Sequence, residues 1–137
     1  DFAKRHQLPN VLCLPYQPLH ELAGSLSAAD LHTVVMGDPF VGMIHPCKIY
    51  NILTVGAPVL YIGPEPSHLA DILVGMDGSP HTARIAHGDS AGAVVQIRRI
   101  AELGTRGDHN LFKRTAAQFS VHNLRGRQIE LLEDSFR

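Results

Sequence analysis

The chain has 137 residues, of which 45% are hydrophobic, and its formal net charge at pH 7 is −1. This length and apolar content suit one domain, residues 1–137, with a sizeable core. The charged residues are scattered and form no basic stripe, which argues against a nucleic-acid partner. The two cysteines, Cys13 and Cys47, form no C-x-x-C pattern, and no apolar run approaches a membrane span, so we expect a cytoplasmic protein.

The first predicted elements lie in the amino-terminal quarter. The opening letters DFAKRHQLPN are typical of a helix end and its exit loop, so we expect the chain to be part of a longer protein. NVLCLP (Asn10–Pro15) is an apolar run between prolines, which predicts a short buried strand. Apolar residues at helical spacing predict a helix over Gln17–Ala29, and the apolar run Asp30–Gly37 predicts a second strand.

Further strands and helices alternate along the rest of the chain. The pattern predicts a helix over Pro46–Val55, a strand over Ala57–Gly63 and a helix over His68–Leu73, capped by Ser67. A short strand over Arg84–Ala86 then leads into a helix that reaches Leu103. Residues 105–137 are expected to form two closing helices, Asn110–Ser120 and Leu124–Phe136.

This alternation predicts an α/β, Rossmann-like fold with a mainly parallel sheet and flanking helices. Ligands of such sheets bind beyond the carboxyl ends of the strands. The segments expected at that edge are Pro15–Gln17, Gly37–His45, Gly63–Pro66 and His87–Asp89.

The segment HGDSAG (His87–Gly92) contains G-x-S-x-G, the pattern of the strained nucleophile turn in α/β-hydrolases. Asp108 and His122 follow Ser90 in the order that a catalytic triad requires. However, only helical sequence follows this turn, and no oxyanion-hole loop precedes it. We therefore expect Asp89 or Ser90 to cap the following helix.

The loop before Pro46 has the composition of an anion-binding site. The free N–H groups and dipole of a helix start attract anions, and Gly42 allows close approach of the backbone to phosphate. Lys48 and Asn51 share one helix face beyond the loop, which suits a nucleotide with phosphate at the tip and ribose one turn deeper. The alternative is an ordinary amphipathic helix with a solvated lysine. The residues expected to face the core are Ile49, Ile52 and Leu53.

Neither a metal nor a cofactor is expected. His45 and Cys47 are separated only by Pro46, and no second pair stands at the spacing of zinc ligands. The remaining histidines form no metal-binding pattern.

Residues Asn10–Leu73 resemble the carboxyl-terminal domain of family-4 glycosyltransferases, which have the two-domain GT-B architecture. The likeness is nearest to bacterial enzymes that build cell-surface polysaccharide. It is carried by LPYQP, by AAD before the second strand and by P-x-K-x-Y-x-I-L-x-x-G-x-P-V, in that order. These three elements together are fairly specific to the family.

The resemblance implies a site for a nucleotide-diphosphate-sugar, with a uridine-diphosphate sugar as the expected donor. In the family, backbone amides at the positions of Gly42, Met43 and Ile44 bind the diphosphate. Tyr16 and Gln17 would lie beside the base, and Asn51 would face the ribose. The expected donor site comprises Tyr16, Gln17, Gly42, Met43, Ile44, His45, Lys48 and Asn51.

The sequence departs from the family at two positions. Many members carry glutamates where this chain has Met43 and Asn51. An asparagine amide can still bind ribose hydroxyls, but Met43 cannot supply the carboxylate that contacts the sugar. The resemblance implies that Lys48 compensates, as a lysine does in relatives whose helix begins with P-S-K.

The resemblance also implies parts that this sequence does not contain. The family domain begins with at least two earlier strands, and a separate amino-terminal domain binds a glycan or lipid-linked acceptor, in some members at the inner face of the membrane. We therefore expect no transfer, which in the family retains anomeric configuration, by this chain alone, and no catalytic residue is identified. An open sheet edge would also favour self-association. The alternative function is a non-catalytic nucleotide-binding α/β module.

Overall fold

A three-stranded parallel sheet organises the chain, and the computed structural model describes residues 2–104 and 108–135. The strands are β1 (His32–Val35), β2 (Val59–Ile62) and β3 (Thr82–Ile85), with β2 in the centre. Their registers align His32 with Val59 and Val59 with Thr82, so all three strands end at the same edge. The prediction of an α/β, Rossmann-like parallel sheet with flanking helices is confirmed.

Helices connect and flank these strands. Two 3-10 turns are formed by Leu19–Glu21 and Asp38–Phe40. The α-helices of the described residues are α1 (Phe2–Arg5), α2 (Leu22–Ser27), α3 (Lys48–Val55), α4 (His68–Val74), α5 (Ser90–Leu103), α6 (His109–Gln118) and α7 (Val121–Ser135).

The predicted helix boundaries near the sheet are largely confirmed because local chemistry sets them. Gly56 ends α3 in the left-handed conformation, with φ of 72°. The Ser67 hydroxyl caps α4 by accepting a hydrogen bond from the Ala70 amide at 3.2 Å.

The main core lies between one face of the sheet and helices α3, α4 and α6. Alternation along β2 directs Val59 and Tyr61 into this core and Leu60 to the opposite face. There Leu60 packs with Ala83 and with Ile100 of α5. Burial on both faces explains the almost continuous apolar sequence of β2.

The strand predicted over Asn10–Pro15 is wrong. This segment has no regular secondary structure, and the side chains of Leu12 and Leu14 are 79% and 70% exposed. An apolar run becomes a strand only when a neighbouring strand pairs with it, and the described sheet contains none of these residues. The helix predicted over Gln17–Ala29 is shorter than expected and comprises only Leu19–Glu21 and α2.

The two carboxyl-terminal helices differ in how they pack. Helix α6 buries Phe112 and Thr115, and it packs against α3. Helix α7 contacts α6 but buries none of its residues, and it exposes several large apolar side chains. The predicted last residue, Phe136, lies outside the described residues. Among the described helices, none is both long and apolar enough to cross a membrane.

Candidate functional site at the carboxyl edge of the sheet

The loop from Gly37 to Pro46 leaves β1 at the carboxyl edge and leads into α3. Gly42 adopts φ of +77°, and a Cβ built there would meet no atom within 4 Å, so the loop is open at this point. Lys48 and Asn51 are exposed, whereas Ile49, Ile52 and Leu53 are buried as predicted. The start of α3 is therefore open to solvent, with a lysine and an asparagine beside it.

Hydrogen bonding decides which amides of this loop are available. The amides of Met43 and Ile44 both donate to the Phe40 carbonyl at 3.0 Å. The amides of Ile49 and Tyr50 donate to the Pro46 and Cys47 carbonyls at 3.2 Å. Between Gly42 and Lys48, the backbone amides without such a bond within the described chain are those of Gly42, His45, Cys47 and Lys48. Four donors thus lie on either side of Pro46 in the sequence, and they differ in part from the set that the resemblance implies.

Lys48 points to the neighbouring strand. Its ammonium lies 3.5 Å from the Thr33 carbonyl oxygen. Because His32 and Met36 pair with β2, the alternation of a parallel ladder directs the polar backbone groups of Thr33 to the open edge of β1. Lys48 therefore donates a hydrogen bond to a carbonyl at the edge of the sheet in this conformation. Because its side chain has four rotatable bonds, the same ammonium can also reach an anion at the start of α3.

The structure separates two of the expected site residues from the others. Tyr16 is fully exposed, and the Gln17 side chain donates to the Pro15 carbonyl at 3.0 Å. No hydrogen bond or ring contact connects either residue to α3 in the described structure. The side chains of Met43 and Ile44 are exposed within the loop.

A cluster of three side chains joins the starts of α3 and α4. The Tyr50 hydroxyl is hydrogen-bonded to Nε2 of both His45 and His68, the second at 2.9 Å. The two imidazole centroids are 4.3 Å apart, and the ring of Phe119, directly after α6, lies 4.9 Å from that of Tyr50. We call His45, Tyr50 and His68 the histidine–tyrosine cluster. Sequence spacing gave no sign of it because tertiary packing brings His68 to the other two.

The environment of this cluster favours its neutral form. Partial burial, followed by the neighbouring Cys47, raises the pKa of Tyr50 above its usual value of 10.0. Partial burial, followed by repulsion from His45, lowers the pKa of His68 below 6.5, and Asp71 opposes this shift. Near neutral pH Tyr50 is therefore a phenol and His68 a neutral imidazole.

A second polar contact crosses the carboxyl edge itself. The His87 Nε2 group, directly after β3, donates to the Met36 carbonyl at the end of β1 at 2.7 Å. The same nitrogen lies 3.5 Å from the Asp38 carboxylate. Gly63 stands between them at the end of β2, where a Cβ would lie 2.8 Å from the Met36 oxygen. The expected edge segments Gly37–His45, Gly63–Pro66 and His87–Asp89 thus meet here.

The G-x-S-x-G segment has a structural role in this fold. The Asp89 carboxylate caps α5 by accepting a hydrogen bond from the Gly92 amide at 2.8 Å, as one of the two expected caps. Asp108 caps α6 through the amides of Asn110 and Leu111. Within the part of the chain that is described, no hydrogen bond links Ser90 to Asp108 or His122.

The edge therefore offers backbone donors, the exposed ammonium of Lys48, the side-chain amide of Asn51 and the pair of His87 and Asp38. In residues 2–104 and 108–135, no three His, Cys, Asp or Glu side chains are grouped so that they could hold a metal ion. Comparison of the chain with protein-family models, with curated proteins and with solved structures found no match.

Proposed function

We propose that the chain is the donor-binding portion of a retaining glycosyltransferase. It binds a nucleotide-diphosphate-sugar, with uridine diphosphate as the nucleotide, for hexosyl transfer in cell-surface polysaccharide synthesis. The proposal begins from the resemblance of Asn10–Leu73 to family-4 enzymes. It is supported by the parallel α/β sheet and by the open start of α3.

The observation that carries the proposal is the set of four amides around Pro46. The amides of Gly42, His45, Cys47 and Lys48 make no backbone hydrogen bond within the described residues. All belong to the same exposed loop and first helical turn, where the helix dipole favours negative charge. A diphosphate supplies enough oxygen acceptors for these donors, and its charge complements Lys48.

The nucleoside would extend from this point along α3. Asn51 lies nearly one turn beyond Lys48 and is exposed, so its amide can bind ribose hydroxyls. Contact of Tyr16 or Gln17 with the base requires the segment 9–18 to move towards α3. In the reaction, Lys48 and the amides would stabilise the charge on the departing diphosphate.

Binding of uridine diphosphate tests the proposal, with calorimetry of the full chain as the measurement. We expect Lys48→Met to weaken binding about tenfold, because one charge-assisted hydrogen bond is lost. Lys113→Met removes an exposed lysine of α6 and is the matched control, with no change expected. Absence of binding, or equal weakening by both variants, would contradict the proposal.

A separate assay tests whether this chain acts alone. The full chain is incubated with several nucleotide-sugars and a mixture of glycan acceptors. We expect no turnover, because the resemblance assigns the acceptor site to a separate amino-terminal domain. Measurable transfer would refute that part of the proposal.

One observation favours the alternative, a nucleotide-binding module without transferase activity. Met43 has an exposed thioether where many family members have a carboxylate for the sugar. A module of this kind would bind uridine diphosphate and uridine-diphosphate glucose with equal affinity. A donor site requires another group that recognises the sugar.

A further inference from the structure

We infer that Asp38 and His87 form a hydroxyl-binding pair that recognises the sugar of the donor. This inference rests on the proposed function, because it places a hexose next to the diphosphate site. It assigns a binding role to two side chains outside the expected donor site.

The hydrogen bond of His87 fixes its tautomer. Met36 offers only a carbonyl oxygen, so the proton of the 2.7 Å contact must be on Nε2 of His87. In the neutral ring, Nδ1 then carries the lone pair, and it makes no hydrogen bond within the described residues. The neutral form of His87 thus offers an acceptor at Nδ1 on a ring that is anchored through its other nitrogen.

The Asp38 carboxylate supplies a second acceptor beside this ring. Its oxygen lies 3.5 Å from Nε2 of His87, and the two side chains are 70% and 39% exposed. Sugar hydroxyls are donors, so an imidazole lone pair and a carboxylate are complementary to a polyol. The carboxylate also repels phosphate, which favours the uncharged hexose at this place over a second anion.

The backbone beside the pair is closely packed at Gly63 and open at Gly88. A Cβ at Gly63 would lie 2.8 Å from the Met36 carbonyl oxygen that anchors His87, so only glycine fits at this point. Gly88 adopts φ of +80° with no atom within 4 Å of a Cβ position. Asp38 also begins the loop that contains Gly42, so one continuous segment joins the pair to the diphosphate donors.

A purely structural explanation is that His87 only ties two loops together. The tie uses Nε2 and the Met36 carbonyl, and it does not need the Asp38 carboxylate. Asp38→Asn therefore separates the two explanations, since it removes the charged acceptor and leaves the tie in place.

The experiment compares the affinity of the full chain for uridine diphosphate and for uridine-diphosphate glucose. For the unchanged protein we expect the glucose conjugate to bind about tenfold more tightly, the value of one hydrogen bond to a charged group. Asp38→Asn and His87→Ala should remove most of this difference and leave the affinity for uridine diphosphate unchanged. Asp134→Asn and His122→Ala, both on exposed α7, are the matched controls.

The outcomes distinguish the inference from the function on which it rests. If the unchanged protein binds uridine diphosphate but Asp38→Asn keeps the full preference for the glucose conjugate, the inference alone is overturned. If neither compound binds, the proposed function fails and the inference fails with it. Should His87→Ala not fold, the result for Asp38→Asn decides the question.

Discussion

Gly63 shows how one residue controls the geometry of the carboxyl edge. A Cβ at this position would lie 2.5 Å from the Tyr61 hydroxyl and 2.8 Å from the Met36 carbonyl. We expect Gly63→Ala to lower the free energy of unfolding by about 1–3 kcal/mol, because backbone and a buried tyrosine must both shift. Urea denaturation measures the change.

Gly24 of α2 is the control for this substitution. No atom lies within 4 Å of a Cβ built there, and the residue is inside a helix. Gly24→Ala should therefore leave stability unchanged or raise it by up to about 1 kcal/mol. Equal destabilisation by both substitutions would show that the close approach at Gly63 is not the cause.

The histidine–tyrosine cluster predicts a loss of stability in mild acid. The pKa of His68 is lowered in the folded protein, first by burial and then by His45, so the unfolded chain binds the proton more readily. The stability that depends on neutral His68 is present above its ordinary pKa of 6.5 and is lost as the pH falls through the lower folded value. Urea midpoints near pH 7.5 and pH 5.5 measure this effect.

The variant His68→Gln separates this residue from the other histidines. It should lose less stability between the two pH values than the unchanged protein does. His122→Gln, on exposed α7, should behave as the unchanged protein. An identical pH dependence for all three proteins would show that His68 does not cause the loss of stability in acid.

Residue roles were predictable from the sequence where the relevant partner is a few positions away. Ser67, Gly56 and Asp89 act on backbone groups within the same helix, so their patterns are local. The contact of His87 with the Met36 carbonyl and the bond of His68 to Tyr50 join distant parts of the chain. Such contacts are products of the fold, and spacing cannot reveal them.

At the level of elements, the start of α5 tests the serine motif. Asp89→Ala removes the carboxylate that caps the helix and should destabilise the protein by about 0.5–2 kcal/mol. Ser90→Ala should change stability by less than about 0.5 kcal/mol, since the exposed serine is not the cap. The free energy of unfolding of each variant checks the pair. Labelling of Ser90 by a fluorophosphonate probe would instead support the hydrolase interpretation.

Of two similar apolar segments predicted as strands, one forms a strand and the other does not, for a physical reason. The segment predicted as the third strand does form β2, because strands pair with it on both sides and apolar side chains cover both of its faces. Asn10–Pro15 has a similar apolar pattern, but no described strand pairs with it. Local sequence therefore identifies a segment able to form a strand, and the presence of a neighbour decides whether it does.

At the level of the whole molecule, the described sheet has open edges at β1 and β3. Val35 is 58% exposed, and its backbone lies on the unpaired side of β1. We expect concentration-dependent self-association, measured by sedimentation velocity, and we expect Val35→Lys to weaken it because edge lysines oppose strand pairing. Unchanged association in this variant would show that copies of the chain associate through a surface other than the β1 edge.

The alternation of strands and helices was sufficient to predict the whole-molecule architecture. The same topology predicted that the segments containing Asp38 and His87 lie at the carboxyl edge of the sheet. The unpaired amides around Pro46 could not be foreseen, because the hydrogen bonds of Met43 and Ile44 to Phe40 depend on the folded loop. The sequence thus predicted the place of the candidate site, but not which of its groups are available.

The central claim is that the loop before α3 holds a diphosphate, and amide chemical shifts during titration with uridine diphosphate test it most directly. We predict saturable shifts at Gly42, His45, Cys47 and Lys48, with a smaller change at Asn51 and none along exposed α7. Shifts that fall elsewhere, or none at concentrations that saturate known nucleotide sites, would contradict the claim.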